Sequence, residues 1–527
     1  MSLKKYLYLF AISLLIVFAA GLYVHLNTAR IVVFHTNDIH GWIMPHVDKE
    51  PAKEEKSIKG GIKKPSPEKI TGGAAALANY LKKFPRGYLL INSGDFLSGT
   101  PEVDLSKGDA AIDCMNALGY NASALGNHDF DFGKENVERM SRMAKFTFIA
   151  ANVFDAQKGE LVPCVEPFIE KDVDGVKVAV IGLTTSKMAS LTKQKNVDGL
   201  YFQRETDALR RMMLLMKERG VQVVIVAAHV GFEPKDAPLN VEGEKFLASA
   251  VPGIHLILGG HTHAGFEKAY QSGAGKTIIV HNQSEFRTVT KTVLRVWKKS
   301  GKLFSYSYEL VPLDVGKYGE DTEVKRIVKA YQKKISDELD IVIGNSKMLL
   351  DRKGYETLLG NWQTDILRWY SRSDVAFQNE GAMRADIPEG LLTFRNFYLV
   401  SPFEDDIVTM DLTGRQIKDI LEYSVSGAPG MMQFSGLKVI YNLERPKNKK
   451  VVEVTVVDKT KESILDLRKT YKVGTNDFLG EGGDGFVWFR EGKNVKDTGV
   501  PFRKLEIEFV KKFSPISTKL DGRIVVK

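Results

Sequence analysis

The stretch Ile31-Val32-Val33-Phe34-His35-Thr36-Asn37-Asp38-Ile39-His40-Gly41 decides how this chain folds. A short run of β-branched and aromatic residues ends abruptly in polar, ligand-type side chains closed by a glycine. So apolar a run, this short, reads as a β-strand. The polar cluster then sits at its carboxyl end, where open α/β sheets gather their functional groups.

The same phrase recurs along the first half of the chain. Further apolar runs are YLLINSG (88–94), FTFIAAN (146–152), VKVAVIGL (176–183), VQVVIVAAH (221–229) and IHLILGG (254–260). Amphipathic segments lie between them, such as Glu205 to Arg219 with Leu209, Met212, Met213 and Met216 at helical spacing. Alternation of this kind is the signature of an α/β fold. A charged stretch, Glu323 to Leu339, predicts a connecting helix with Val324, Ile327, Val328, Tyr331 and Ile335 as its buried stripe. A further mixed α/β region then runs to the C-terminus and finishes in strand-like stretches such as LEIEFV (505–510). Asp48 to Lys69, rich in Lys, Pro and Glu, reads as a solvated insertion loop.

The chain has 527 residues, enough for two or three domains. Hydrophobic residues at 43% and charged residues at 26% exclude disorder, collagen and a polytopic membrane protein. The net charge of +9 is mild, and no concentrated basic patch points to a nucleic-acid polymer. Two cysteines, Cys114 and Cys164, exclude a cysteine-rich zinc scaffold and leave their pairing open. Lys4 and Lys5 precede an uncharged apolar stretch from Tyr6 to Leu26, long enough to span a bilayer as a helix. The lysines place the N-terminus inside and the remainder outside. An uncleaved anchor and a cleaved signal peptide both fit, and both export the chain to the periplasm or cell exterior.

Five clusters carry the chemistry: Asp38 with His40; Asp95 after Ser93-Gly94; Gly126-Asn127-His128-Asp129-Phe130-Asp131; His229; and Gly259-Gly260-His261-Thr262-His263. Carboxylates and imidazoles without thiolates suit Mn, Fe, Co, Zn or Ni. Two such ions about 3.5–4 Å apart can hold both oxygens of an in-line displacement and activate a bridging water. A bridging carboxylate is then needed, and Asp95 in its tight Gly-Asp turn is the natural choice. His25, His35, His46, His255 and His281 read as structural.

These motifs resemble the calcineurin-like metallophosphoesterase superfamily, and within it the exported 5'-nucleotidase family, which includes ecto-5'-nucleotidases and bacterial UDP-sugar hydrolases. The resemblance implies two divalent metal ions, Mn, Zn, Co or Fe. One would take Asp38, His40, Asp95 and His263, the other Asp95, Asn127, His229 and His261. His128 would face the substrate phosphate, oriented by Asp131. The implied architecture is an N-terminal metallophosphoesterase α/β/β/α sandwich over residues 31–315 and a C-terminal mixed α/β 5'-nucleotidase substrate-binding domain over 341–527. Residues 1–30 form the anchor or signal peptide and 316–340 the connecting helix, with hinge motion expected around 314–345.

The second half bears on the substrate. It carries Asn379-Glu380-Gly381-Ala382-Met383-Arg384, then Ser401-Pro402-Phe403, then Thr475 to Phe486 with Phe478 and Asp484. Arg384 can hold a phosphate through its planar fork. Phe403 and Phe478 can sandwich a flat base, and Asp484 can accept from ribose hydroxyls. The resemblance implies the same roles, with Asn379, Gly381 and Arg384 contacting the nucleotide and Arg352 or Lys353 a further anion site. Leu359-Gly360-Asn361 with Asp365 resembles the start of that domain. Glu380 and Ala382 replace two glycines of the family motif, Glu404-Asp405-Asp406 departs from the Gly and Asn of some relatives, and Glu380 is expected to repel a polyphosphate. His281-Asn282-Gln283-Ser284-Glu285-Phe286 also departs from the family, which has a glycine-containing stretch there. The expected activity is release of phosphate from 5'-nucleotides. UDP-sugar hydrolysis, or 2',3'-cyclic-nucleotide phosphodiesterase with 3'-nucleotidase activity, are alternatives on the same scaffold. The paired phenylalanines disfavour a thiosulfohydrolase, and the full set of ligands disfavours an inactive surface-binding protein.

Overall fold

The computed structural model describes residues 3–48, 69–232, 243–272, 276–458 and 461–527. The side chains of 3–9, 11, 48 and 69 also fall outside that description. Most of the expected insertion loop, residues 49–68, lies outside the described residues, and its flanks pair as short antiparallel strands, His46–Asp48 with Lys69–Thr71.

Two six-stranded sheets pack face to face. In chain order the strands of the first are β1 (Thr28–Thr36), β2 (Leu89–Ser93), β3 (Ala122–Ala124) and β4 (Thr147–Ile149). The second sheet holds β5 (Phe168–Val173), β6 (Val176–Thr184), β7 (Val223–His229), β8 (Leu256–Gly259), β9 (Tyr270–Gln271) and β10 (Ile278–His281). The chain then returns to the first sheet with β11 (Thr288–Trp297) and β12 (Leu303–Pro312). The spatial orders are β12-β11-β1-β2-β3-β4 and β9-β10-β8-β7-β6-β5. Strands β1 to β4 are parallel, as are β6, β7, β8 and β10. All six predicted apolar runs contain or coincide with these strands.

Alternation along β1 explains the layering. Ile31 and Val33 join Ile91, Val178, Val180, Ile225 and Leu258 in the core between the sheets. Phe34 points the other way, into a second core beneath the outer helices. Helix α2 (Glu205–Glu218) covers the second sheet through Leu209, Met212 and Met216. Helix α3 (Thr322–Leu339) buries Val324 and Val328 against the first unit, and Tyr331 donates to Asp113 Oδ2 at 2.7 Å. The result is an α/β/β/α sandwich.

The second unit is mixed α/β. A five-stranded sheet runs Gln433–Ser435, Val375–Gln378, Thr470–Asn476, Asp406–Thr413, Lys493–Pro501. Helix α4 (Leu358–Ser371) packs on it. Here one expectation fails. LEIEFV lies within helix α5 (Phe502–Phe513), not in a strand.

Residues Leu3–Asn27 form helix α1, which leads straight into β1. Its described apolar side chains, among them Leu14, Phe18 and Leu22, are exposed. The expected membrane-spanning segment is nevertheless not supported, because among the described residues no helix is long and apolar enough to cross a membrane. Cys114 and Cys164 are both free, the first buried.

Candidate active site

The carboxyl ends of β1, β2, β3, β7 and β8 converge on one edge of the sandwich. Asp38 and His40 follow β1, Asp95 follows β2, and Asn127 and His128 follow β3. His229 ends β7, and His261 and His263 follow β8. The ligand-type atoms of Asp38, His40 and His263 lie within 4.8 Å of one another, and so do those of Asp95, His229 and His261. Asp95 Oδ2 stands between the groups, 3.0 Å from His229 Nε2 and 3.9 Å from His40 Nε2. His40 and His263 face each other through their Nε2 atoms at 2.9 Å.

The backbone is strained to achieve this. Asp38, His40, Asp95, His261 and His263 have φ of 50°, 47°, 53°, 78° and 53°. Each such non-glycine residue costs about 1 kcal/mol or more, so the surroundings must hold it. Gly94, at φ 91°, allows the close approach: a Cβ there would lie 2.5 Å from Gly126 N and 2.9 Å from His229 Nδ1. Asp129, quoted in the sequence motif but given no role there, ties the turns together. Its Oδ2 accepts from Asp95 N and Gly126 N, and its Oδ1 from Phe96 N and Leu97 N, at 2.8–3.2 Å.

The imidazoles are presented as ligands. His40 Nδ1 lies 3.0 Å from Ser98 O and His229 Nδ1 2.8 Å from Ser93 O. Donation to those carbonyls leaves each Nε2 lone pair facing the cluster. Burial lowers His40 well below its ordinary value, lowers His263, and takes His261 down to about 4. Neutral imidazole is the form that binds metal. Against its burial, Asp95 is held well below the carboxylate range by His229 and His128. His229 is the exception: despite burial, Asp95 raises it to about 10. A cation at the shared position would displace that proton. Among the described residues no hydrogen bond reaches Asn127 Oδ1, although it is buried, and the buried His229 Nε2 faces Asp95 Oδ2. Buried polar atoms are nearly always partnered, so an unpartnered Asn127 Oδ1 beside carboxylate oxygens and imidazole nitrogens fits divalent cations.

His128 stands apart from both clusters. Its Nδ1 pairs with Asp131 Oδ2 at 2.8 Å, and its backbone N donates to Asp95 Oδ1 at 2.8 Å. Burial opposes its charge, but Asp131 and Asp95 outweigh that and raise it above its ordinary value.

A cavity of about 1330 Å³ opens between the two units. Asp95, Asn127, His128, Asp131, His261 and His263 line one wall. Asn379, Gly381, Arg384, Phe403, Phe478 and Asp484, on separate loops of the second unit, line the other. Asp38, His40 and His229 are buried behind the first wall. Phe403 stacks on His128 at 5.3 Å between ring centres and 17° between planes. Asp484 Oδ2 accepts from Asn379 Nδ2 at 2.8 Å, and Tyr423 OH donates to Asp484 O. Asn476 Nδ2 in turn donates to Asn379 Oδ1 at 3.1 Å. Arg384 is held near the rings, with its guanidinium carbon 5.9 Å from the Phe403 centre.

Several further residues of the second unit are held by local partners. Glu380 lines the cavity, and its Oε2 accepts from Met431 N at 2.9 Å and fastens the neighbouring loop. Arg352 donates to Asp386 and to Met383 O. Asp365 receives Arg523 through both oxygens, and Asn361 Nδ2 donates to Glu356 and Lys519 O. These last two brace the C-terminal segment. Tyr423, Asn476 and Asp129 carried no sequence signal beyond their residue type.

The comparisons agree with this geometry. Residues 31–265 match the family model of calcineurin-like phosphoesterases, and residues 342–491 that of the 5'-nucleotidase C-terminal domain. A 5'-nucleotidase-related protein of Glossina morsitans morsitans is 27% identical, over 94% of this chain and 94% of its own. A 5'-nucleotidase of Vibrio vulnificus is 26% identical, over 95% and 94%. The crystal structure of a 5'-nucleotidase precursor from Thermus thermophilus superposes with a TM-score of 0.83 at 28% identity, covering 94% of this chain and 99% of the other. With both family models matched in order along a sandwich whose strand ends carry the ligand clusters, the chain belongs to the 5'-nucleotidase family of calcineurin-like metallophosphoesterases, hydrolases of phosphoester bonds.

Proposed function

We propose that this enzyme removes the phosphate of 5'-nucleotides, giving nucleoside and orthophosphate, and that it acts after export. The observation that carries the reading is the single cavity joining the ligand clusters to Phe403, Phe478 and Asp484. One ion would be held by Asp38, His40, Asp95 and His263, the other by Asp95, Asn127, His229 and His261. When bound, such a pair supplies an activated water and neutralises phosphoryl oxygens. The chain's own residues do the rest. Phe403 and Phe478 stack on the base, and Asn379 and Asp484 fix the ribose. Arg384 takes the phosphate, with Gly381 leaving the backbone approach open. His128, charged through Asp131, donates from Nε2 to a phosphoryl oxygen or to the leaving alkoxide. Export is supported by the basic and then apolar start of the chain and by the precursor status of the Thermus relative.

The cavity volume exceeds the roughly 300–1,000 Å³ of common small-molecule sites, which favours UDP-sugars as a second reading. Release of orthophosphate from 5'-AMP, of UMP and glucose 1-phosphate from UDP-glucose, and of nucleoside monophosphate or orthophosphate from 2',3'-cyclic AMP, with added Mn, with EDTA and in Asp95→Asn, tests both. Release from 5'-AMP that EDTA and the substitution abolish is the expected result. Release from UDP-glucose alone would replace the first reading with the second. No metal-dependent release from any of the three would sink both.

A further inference from the structure

Lys193 lies in the loop that follows residues 188–190 of the first unit, yet its contacts are in the second. Its Nζ donates to Asp477 Oδ2 at 2.8 Å and to Glu404 O at 2.5 Å, and lies 3.2 Å from Asp405 Oδ1. Only 12% of the lysine side chain is exposed. Burial pushes Asp405 up to about 6, with Lys193 opposing the shift and Asp477 adding to it. The buried Asp405 and the half-buried Asp477 repel each other, and one cation between them removes the conflict. Asp477 also ties the two loops directly, since its Oδ1 accepts from Asp406 N at 3.2 Å.

The position of these acids in the sequence gives the contact its meaning. Asp405 is two residues after Phe403, and Asp477 immediately precedes Phe478. One lysine therefore grips both loops that carry the paired rings. Its own loop is fastened to the other end of the site: Asn196 Nδ2 donates to Asp131 O at 2.9 Å, and Thr192 Oγ1 to Asp131 Oδ1 at 3.4 Å. Gln194 N adds a further bond across the cleft, to Glu481 Oε2 at 3.1 Å.

We propose that Lys193 is a positioning residue that sets the Phe403 and Phe478 loops against the His128–Asp131 pair, so that nucleoside recognition is coupled to phosphoryl transfer. The proposal rests on the nucleotide reading for what the two rings hold. A phosphoester without a nucleoside, such as p-nitrophenyl phosphate, needs no such alignment.

The test uses the full metal-loaded chain and Lys193→Ala, with hydrogen–deuterium exchange over residues 401–406 and 476–482 alongside turnover. Faster exchange in both segments is expected. kcat/KM for 5'-AMP should fall about 100-fold, the cost of a misplacement of order 1 Å, with turnover of p-nitrophenyl phosphate unchanged. Lys193→Arg should restore most of the loss. Lys193→Ala/Asp405→Asn, which leaves less stranded charge, should show the same substrate split. Unchanged exchange, or equal losses on both substrates, would overturn the proposal. If the parent cleaves p-nitrophenyl phosphate but not 5'-AMP, the nucleotide reading has failed, and the exchange data alone decide the role of Lys193.

Discussion

Asp129 makes no predicted contact with metal or substrate, yet four backbone amides of the turns around Asp95 and Gly126 converge on its carboxylate. Stranding a buried N–H costs about 1–3 kcal/mol, so Asp129→Ala should destabilise the chain by more than about 3 kcal/mol. Asp129→Asn should lie between the two, because its amide NH2 would face two of those donors. Denaturant unfolding with a metal assay on the same samples checks both the loss and its effect on metal retention. The neighbouring residues show what could be read without a structure. The clusters that hold His128, Asp131 and the candidate ligands were legible from residue type and place, because few other roles put histidines directly behind apolar strands, whereas the role of each residue came from the family resemblance. Asp129 was equally visible as a letter. The short helical turn His128–Phe130 that sends His128 to the cavity and Asp129 into the interior is a matter of backbone direction, and a single sequence does not encode it locally.

At the scale of elements, six strands of the sandwich, β1, β2, β4, β6, β7 and β8, were legible because runs buried on both faces are continuous in the sequence, whereas β3, β5 and β9 to β12 were not singled out. Helix α5 was not legible. Leu505, Ile507 and Phe509 alternate as in a strand, whereas the helix is defined by Phe502, Glu506, Val510 and Phe513 at spacings of three and four. A buried glutamate on that stripe disguised the period. Glu506 is fully buried, receives Gln363 Nε2 at 2.8 Å, and is pushed up to about 8 by burial. Its raised value sets the sign of a pH effect. The charged form is penalised only in the folded chain, so stability falls as pH rises from about 4.5 to about 8. Glu506→Gln removes that titration. Its unfolding free energy should match the parent near pH 4 and exceed it near pH 9, by at most about 5 kcal/mol. Denaturant unfolding across that range would reveal a flat difference if Glu506 stayed charged throughout.

At the scale of the molecule, the two units meet through charge as well as through the cavity. Arg395 of the second unit donates to Glu102 Oε1 at 2.5 Å and to both oxygens of Asp340, and the Glu102 side chain is fully buried. Removing one partner of a buried pair strands the other, at a cost of about 3 kcal/mol. Arg395→Ala should show that loss in denaturant unfolding, and Glu102→Gln/Arg395→Ala should recover part of it. Equal losses in the single and double variants would mean that the arginine acts through packing alone. Such pairings between distant segments were invisible in the sequence, since nothing local joins Glu102 to Arg395. The other long-range feature is at the start of the chain, where α1 ends at Asn27 and β1 begins at Thr28 with no linker between them. Thr28, Ala29 and Arg30 already pair with Trp297, Val296 and Arg295, and Ala29 is fully buried. Whatever bends or pulls the helix therefore acts on the central strand that delivers Asp38 and His40. Trimming the apolar helix for solution work should stop short of Thr28, because a cut at Ile31 would unpick the first rungs of the ladder that holds the catalytic edge in register.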